Sequence, residues 1–211
     1  MRLRLAFAAV LLLASLAPAA AAPPRWIRIG PDGGTVRSLA GSPSRPAGLY
    51  AGTDFGGVFR SNDNGAHWSF AGTGLGWNNP VSSLAVDPVR PDTVWAGTVH
   101  GIFKSDTGGA AWFHLGSQAY VQAVAVHPRR PSTVFAVVQT TLSVTRDGGA
   151  TWAPLGGSAP TAAVRLIADI HSASTLYALG GTISDLAIDP SNPAILYVAT
   201  GGGGVMMIQQ E

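Results

Sequence analysis

The chain has 211 residues and no cysteine, which excludes disulfides, thiolate metal sites and a cysteine-linked lipid. Of its 13 Lys and Arg, Arg2 and Arg4 sit at the start, and the rest of the chain balances 11 cations against 11 acidic side chains. Apart from Arg129-Arg130 it has no basic cluster, and a neutral chain without a basic stripe does not neutralise phosphates, so nucleic-acid binding is excluded.

Arg2 and Arg4 precede an apolar run from Leu5 to Leu16, followed by Pro18 and the small residues Ala19-Ala20-Ala21. A basic start, a short apolar run and small residues at its end read as a secretory signal over 1–21. The run is too short to span a bilayer, which takes about 20 residues. The expectation is an exported protein, periplasmic or extracellular, with no stable membrane insertion after the signal is removed. Residues 22–211 then form one domain, expected to be a monomer.

That domain is rich in Gly and Pro, 27 and 15 in the whole chain, set between short apolar runs. Few of those runs hold a 3.6-residue period, so the fold class is all-β. Five stretches align without gaps: 36–51, 81–96, 121–136, 163–178 and 183–198. Each reads as a strand, a polar corner and a second strand with a central aromatic: Tyr50, Trp95, Phe135, Tyr177 and Tyr197. The corners, such as Asp87-Pro88-Val89-Arg90-Pro91 and His127-Pro128-Arg129-Arg130-Pro131, end strands because proline fixes φ and withholds a donor.

The second half of a unit is a hairpin followed by an eight-residue polar turn closed by tryptophan. The turns run Ser61 to Trp68, Ser105 to Trp112 and Thr145 to Trp152. Four strands per 40–45 residues with a tryptophan turn predict propeller blades. The expected fold is a β-propeller of four to five short four-stranded blades. The fourth blade is incomplete, because Tyr177 and Tyr197 stand only 20 residues apart. Residues 26–29 resemble a fourth strand and are expected to pair with residues 205–208, which would close the ring and remove two open edges.

The tryptophan turns resemble Asp-box, or BNR, repeats, with Ser105 to Trp112 a degenerate copy. That superfamily includes sialidase-like and xyloglucan-degrading hydrolases, sortilin-type receptors and photosystem II assembly factor-like propellers. The resemblance implies blade architecture and leaves activity open. Its frame residues are Ser61, Asp63, Gly65 and Trp68, then Ser105, Gly109 and Trp112, then Thr145, Asp147, Gly149 and Trp152. The carboxylate can cap the N–H groups of its own turn, and the indole can cover the hairpin while its N–H finds a carbonyl. A calcium loop is the alternative, but the Glu that an EF-hand loop supplies is missing and one carboxylate binds weakly.

Sialidase-like catalysis would require an arginine triad, a Tyr–Glu pair and an acidic residue. The single glutamate is Glu211, and no Arg-Ile-Pro motif is present. Asp54 is the most plausible lone acid, with turn capping as its alternative role. No two of His67, His100, His114, His127 and His171 share a ligand spacing, so neither metal nor cofactor is expected. Arg165 and Asp185 occupy equivalent first-strand positions and suggest an ion pair between blades.

Hairpin loops of alternate parity leave a blade on opposite sides. The side away from the tryptophan turns carries Asp54, Phe55, Trp77, Asn78, Asn79, His100, Tyr120 and Gln139. Aromatics beside amides suit sugar or peptide recognition. The reading is a non-enzymatic exported module that binds a protein or glycan, in a scaffold or assembly role. Its rival is a degenerate or truncated sialidase-like glycoside hydrolase.

Overall fold

A computed structural model describes residues 27–158 apart from 33, 56, 77 and 117. Beyond residue 158 it describes the five strands named below by their backbone. Side chains are described through residue 154. The expected signal at 1–21, Trp26 and Trp77 lie outside the described residues, as do the side chains of Arg165 and Asp185.

All described secondary structure is antiparallel strand, in agreement with the all-β propeller expectation. The first sheet holds β1 (Val36–Ser42), β2 (Arg45–Thr53), β3 (Val58–Ser61) and β4 (Ser69–Phe70) in that spatial order. The second holds β5 (Val81–Val86), β6 (Val94–Thr98), β7 (Gly101–Ser105) and β8 (Phe113–Leu115). The third holds β9 (Val121–Val126), β10 (Val134–Val138), β11 (Thr141–Thr145) and β12 (Ala153–Ser158). A two-stranded sheet follows, β13 (Arg165–Ala168) with β14 (Leu176–Leu179). This is the incomplete unit expected from the spacing. The last sheet has three strands: β15 (Ile183–Ile188), β16 (Ile195–Thr200) and β17 (Gly204–Gln209).

The repeat reappears as register. Ala40 pairs with Tyr50, Ala85 with Trp95, Ala125 with Phe135, Ile167 with Tyr177 and Ala187 with Tyr197. Because strand side chains alternate with period two, a constant register sets each aromatic on the same face of its sheet. Successive sheets then stack face on face. Tyr50 packs with Leu84, Val94 and Phe103 between the first two sheets, and Trp95 with Val121, Val124 and Val134 between the second and third. The two rings are only 2% and 1% exposed. Gly52 makes room for the next sheet, since a methyl there would lie 2.6 Å from Val81 Cγ1.

Polar ties reinforce the first stack. Arg45 grips Asp92 with two hydrogen bonds of 2.7 and 2.9 Å, and Arg60 adds a third at 3.0 Å. Hydrogen bonding from Arg45 leads in holding the Asp92 carboxyl below its ordinary range. The pair is partly solvated, so it contributes modestly to stability.

One expectation needs correction. Residues 27–30 form no strand, the sheets are not closed into a ring, and β17 has β16 as its only neighbour among the described residues. The segment lies instead along the first tryptophan turn, where Trp68 Nε1 donates to the Ile29 carbonyl at 2.7 Å. A methyl on Gly65 would sit 2.5 Å from Ile29 Cδ1. The indole and the bare glycine together bind this segment through one carbonyl and one side chain, without a ladder.

Candidate functional site

Strand order places two sets of loops at opposite ends of the sheets. The β1–β2 corner and the β3–β4 tryptophan turn share one end. The β2–β3 hairpin and the linker leading from β4 to β5 share the other.

At the first end, the tryptophan turns fasten structure. In the first, Ser61 Oγ donates to Asp63 at 2.8 Å and accepts from the Gly65 N–H at 2.8 Å, while Asp63 accepts from the His67 N–H at 2.9 Å. In the third, Thr145, Gly149, Asp147 and Thr151 repeat these bonds. In the second, Thr107 Oγ1 takes the place of the carboxylate and accepts from the Ala111 N–H at 2.9 Å. Asp106 turns outward to Thr93 and Lys104. Asn64, Gly108 and Gly148, all with positive φ, donate their N–H groups to the corner carbonyls of Ala47, Asp92 and Ser132.

The indoles reach farther than their own hairpins. Trp68 donates to Ile29, and Trp112 donates to Ala71, the first residue after β4 of the preceding sheet, at 2.7 Å. Each such turn is therefore a staple onto the element before it. Trp152 differs, because its buried Nε1 has no acceptor among the described residues.

Hydrogen bonds from His67 and Ser61 lower the Asp63 carboxyl from 3.8 to about 2. Those from Thr151 and Thr145 drive Asp147 lower still. A carboxylate with a depressed folded pKa stabilises the fold above its unfolded value, and that stabilisation is lost as pH falls through the folded value. The melting temperature is therefore expected to hold steady above pH 3.8 and to drop as pH approaches 2. Asp147→Ala should start lower at neutral pH and show a shallower acid limb. Thermal melts across that range check both, and an unchanged neutral melting temperature would contradict the capping role.

At the opposite end, Thr53 closes the β2–β3 loop, its N–H and Oγ1 both donating to the Gly57 carbonyl at 3.0 Å. This closure lifts Phe55 into solvent at 74% exposure. Phe70 on β4 is 60% exposed and packs edge-to-face on Phe59, with centroids 5.9 Å apart. Phe55 and Phe70 flank a groove of about 530 Å³ whose other walls, among the described residues, are Gly57, Gly72, Thr73, Gly74 and Gly76. The glycines permit it, since a methyl at Gly72 would stand 2.9 Å from the Phe70 ring.

The other expected ligand residues reach the same end but spread along it. Asp54 forms an ion pair with Arg37 and donates its N–H to the Thr35 carbonyl, and it is not a wall of the groove. Asn78 is exposed, whereas Asn79 is 3% exposed and braces the linker through Leu75. Its Oδ1 is buried with no partner among the described residues. His100 caps the β6–β7 loop through Thr98, and its carbonyl meets His114 Nε2. Gln139 joins Tyr120 through their backbones and lines a smaller pocket of about 270 Å³ with Leu115, Ala119 and Trp152. Phe70 was not foreseen as a site residue. Its signal was an aromatic on an outer strand where the next repeats carry His114 and Pro154.

A larger cavity of about 730 Å³ lies at the tryptophan-turn end, between Arg28–Asp32 and the Gly65–Trp68 stretch. Its walls are the residues that staple residues 27–30 to the first sheet, so it belongs to that contact. Among the described residues, no three His, Asp or Glu side chains gather as metal ligands.

No family model matches the chain. A xyloglucanase from Paenibacillus sp is 36% identical over 95 residues, which is 42% of this chain and 9% of the enzyme. Among solved structures, the GH74 enzyme of Niastella koreensis aligns at TM-score 0.64 and 18% identity, covering 83% of this chain and 38% of that one. YCF48 from Cyanidioschyzon merolae aligns at TM-score 0.59 and 16% identity, covering 83% and 67%. At such identities the structural likeness shows a propeller fold. The chain spans about a tenth of the curated relative's length.

Proposed function

We propose that this chain is an exported, non-enzymatic Asp-box propeller module that binds a glycan chain at the end away from its tryptophan turns. The observation that carries the reading is the groove between Phe55 and Phe70. Two exposed phenyl faces over glycine walls offer apolar surface to the C–H face of a sugar ring. Thr73 and the loop backbone supply the few polar contacts that orient such a ligand.

The disposition of the carboxylates supports binding over hydrolysis. Every described aspartate has a structural partner. Asp32 pairs with Arg28, Asp54 with Arg37, Asp92 with Arg45 and Arg60, and Asp106 with Lys104. Asp63 and Asp147 cap their turns, and buried Asp87 caps Val89 and Arg90. Glycoside hydrolysis generally needs two carboxyl groups facing across the scissile bond, and no two of these face each other across the groove.

Affinity electrophoresis in gels containing xyloglucan or another soluble β-glucan tests the proposal. Retarded migration is expected. Phe55→Ala and Phe70→Ala should each weaken it about tenfold, equivalent to about 1.4 kcal/mol, with the melting temperature unchanged in Phe55→Ala and slightly lowered in Phe70→Ala, which also loses its contact with Phe59. Absence of retardation with every glycan tried would overturn the glycan assignment and return the groove to a protein ligand. A hydrolase reading draws on the 36% identity with a xyloglucanase. Release of reducing ends from xyloglucan, or turnover of fluorogenic sialosides, that is lost in Asp54→Asn would establish it.

A further inference from the structure

The second and third sheets share one backbone frame at the tryptophan-turn end. The His127 N–H donates to the Thr133 carbonyl and the Thr133 N–H to that of Arg130, as Asp87, Thr93 and Arg90 do in the second sheet. The Gly148 N–H meets the Ser132 carbonyl at 2.9 Å, as the Gly108 N–H meets that of Asp92 at 2.8 Å. This last bond ties the tryptophan turn to the corner in both sheets.

On that shared frame the charges differ. In the second sheet Asp87 caps the Val89 and Arg90 N–H groups and pairs with the Arg90 guanidinium at 2.9 Å. Asp92 holds Arg45 and Arg60, and Asp106 holds Lys104. In the third sheet His127 Nδ1 accepts from the Arg129 and Arg130 N–H groups, both at 3.1 Å. The same cap is made by an uncharged acceptor, so Arg130 lacks the carboxylate that Arg90 has. Ser132 stands in place of Asp92, and Arg146 in place of Asp106. Arg129, Arg130 and Arg146 are all exposed, and none has a carboxylate partner among the described residues. Every other Lys or Arg with a described side chain is paired. The place is also open. The Arg60 guanidinium and the Asp92 carboxylate crowd the spot a methyl on Gly108 would take, whereas nothing lies within 4 Å of that spot at Gly148.

We propose that the β9–β10 corner and the third tryptophan turn form an oxyanion site, where Arg129, Arg130 and Arg146 take up a sulfate or phosphate group. Guanidinium forks donate paired hydrogen bonds to such oxygens. One fork fills a planar carboxylate, while a tetrahedral group keeps acceptors for a second. The neighbouring carboxylates are already engaged, Asp147 with Thr145 and Thr151, and Asp106 with Thr93 and Lys104. Three cations at one point serve a single group, unlike the run of phosphates along a nucleic acid. The site lies at the end opposite the Phe55–Phe70 groove and is independent of what that groove binds.

Isothermal titration calorimetry of the full chain with sodium sulfate and sodium phosphate, against sodium chloride at equal ionic strength, tests the proposal. Saturable binding of sulfate or phosphate is expected, and none of chloride. Dextran sulfate beside uncharged dextran separates the sources: binding of the inorganic ions assigns the site to a free anion, and binding of dextran sulfate alone assigns it to a group borne on a polymer. Arg130→Gln and Arg146→Gln should each weaken binding about tenfold. Circular dichroism and xyloglucan retardation should not change, because both side chains are exposed and distant from the groove. Arg90→Gln, at the same corner position of the second sheet, should bind like the parent. His127→Asp restores the carboxylate of the second sheet and should weaken binding with all three arginines in place. Ser132→Asp, at an exposed position, repeats that test if the His127 variant does not fold. No saturable binding beyond that of chloride overturns the proposal. An Arg90 variant that loses as much as the Arg130 variant, or aspartate variants that bind like the parent, also overturn it.

Discussion

Trp95→Ala is expected to cost about 3–5 kcal/mol, as loss of a fully buried aromatic does. That is a large part of the roughly 5–15 kcal/mol that a domain of this kind possesses. Trp95 is 1% exposed, packs between the second and third sheets, and meets Trp152 edge-to-face with centroids 6.3 Å apart. Its removal therefore opens a cavity at a blade junction. The indole nitrogen contributes little to this cost, since Nε1 has no acceptor among the described residues. Trp95→Phe should then cost less than about 1.5 kcal/mol beyond its lost volume. Trp112→Phe is different, because its Nε1 donates to Ala71 at 2.7 Å. Losing that donor strands a buried carbonyl, at about 1–3 kcal/mol. Urea denaturation of the three variants orders them as Trp95→Ala, Trp112→Phe, Trp95→Phe. Equal costs for the two phenylalanine variants would remove the inter-sheet staple from the account.

Gly109→Ala should destabilise by about 2–4 kcal/mol, combining overpacking with a strained backbone. Gly109 has φ +89, and a methyl there would stand 2.6 Å from the Ala71 carbonyl oxygen and 2.7 Å from its Cβ. Neither neighbour can rotate away, and the same oxygen accepts the Trp112 bond. Gly148→Ala provides the comparison. Gly148 has φ +71 but nothing within 4 Å, so only the backbone term of about 1 kcal/mol remains. Melting temperatures of the two variants separate contact from strain, and equal shifts would show that the turn's approach to the preceding sheet carries no energy.

These effects bear on the binding end as well as on the fold. Trp112 anchors the linker after β4, its N–H donating to Thr73 at 2.9 Å, and Thr73 is a wall of the Phe55–Phe70 groove. A tryptophan-turn residue of the second sheet thus holds one wall of the groove on the first. Trp112→Phe keeps the backbone bond to Thr73 and should preserve glycan retardation, whereas Gly109→Ala displaces the stretch next to that bond and should weaken it.

Much of the architecture was legible in the residues because its causes are local. Strand alternation, proline corners, positive-φ positions and the Ser–Asp–Gly frame each act within about eight residues. Five copies in one register told where strands begin, where the aromatic sits, and that the fourth unit stops short. Which end of each sheet a loop leaves from follows from parity alone, and this brought Phe55, Asn78, His100, Tyr120 and Gln139 to one end. Other features depended on partners beyond a single turn, 17 residues away for Arg37 and Asp54 and about forty for the indoles. Only the folded chain showed that Trp68 and Trp112 bind the preceding element, that Arg37 occupies Asp54, that Asn79 is buried and that Phe70 completes the groove. It also decided that residues 27–30 lie along the first tryptophan turn without pairing with β17. The physical reason is the range of the forces: turn chemistry and pleat are set by neighbours in sequence, while burial, ion pairing and closure depend on which sheet comes to face which.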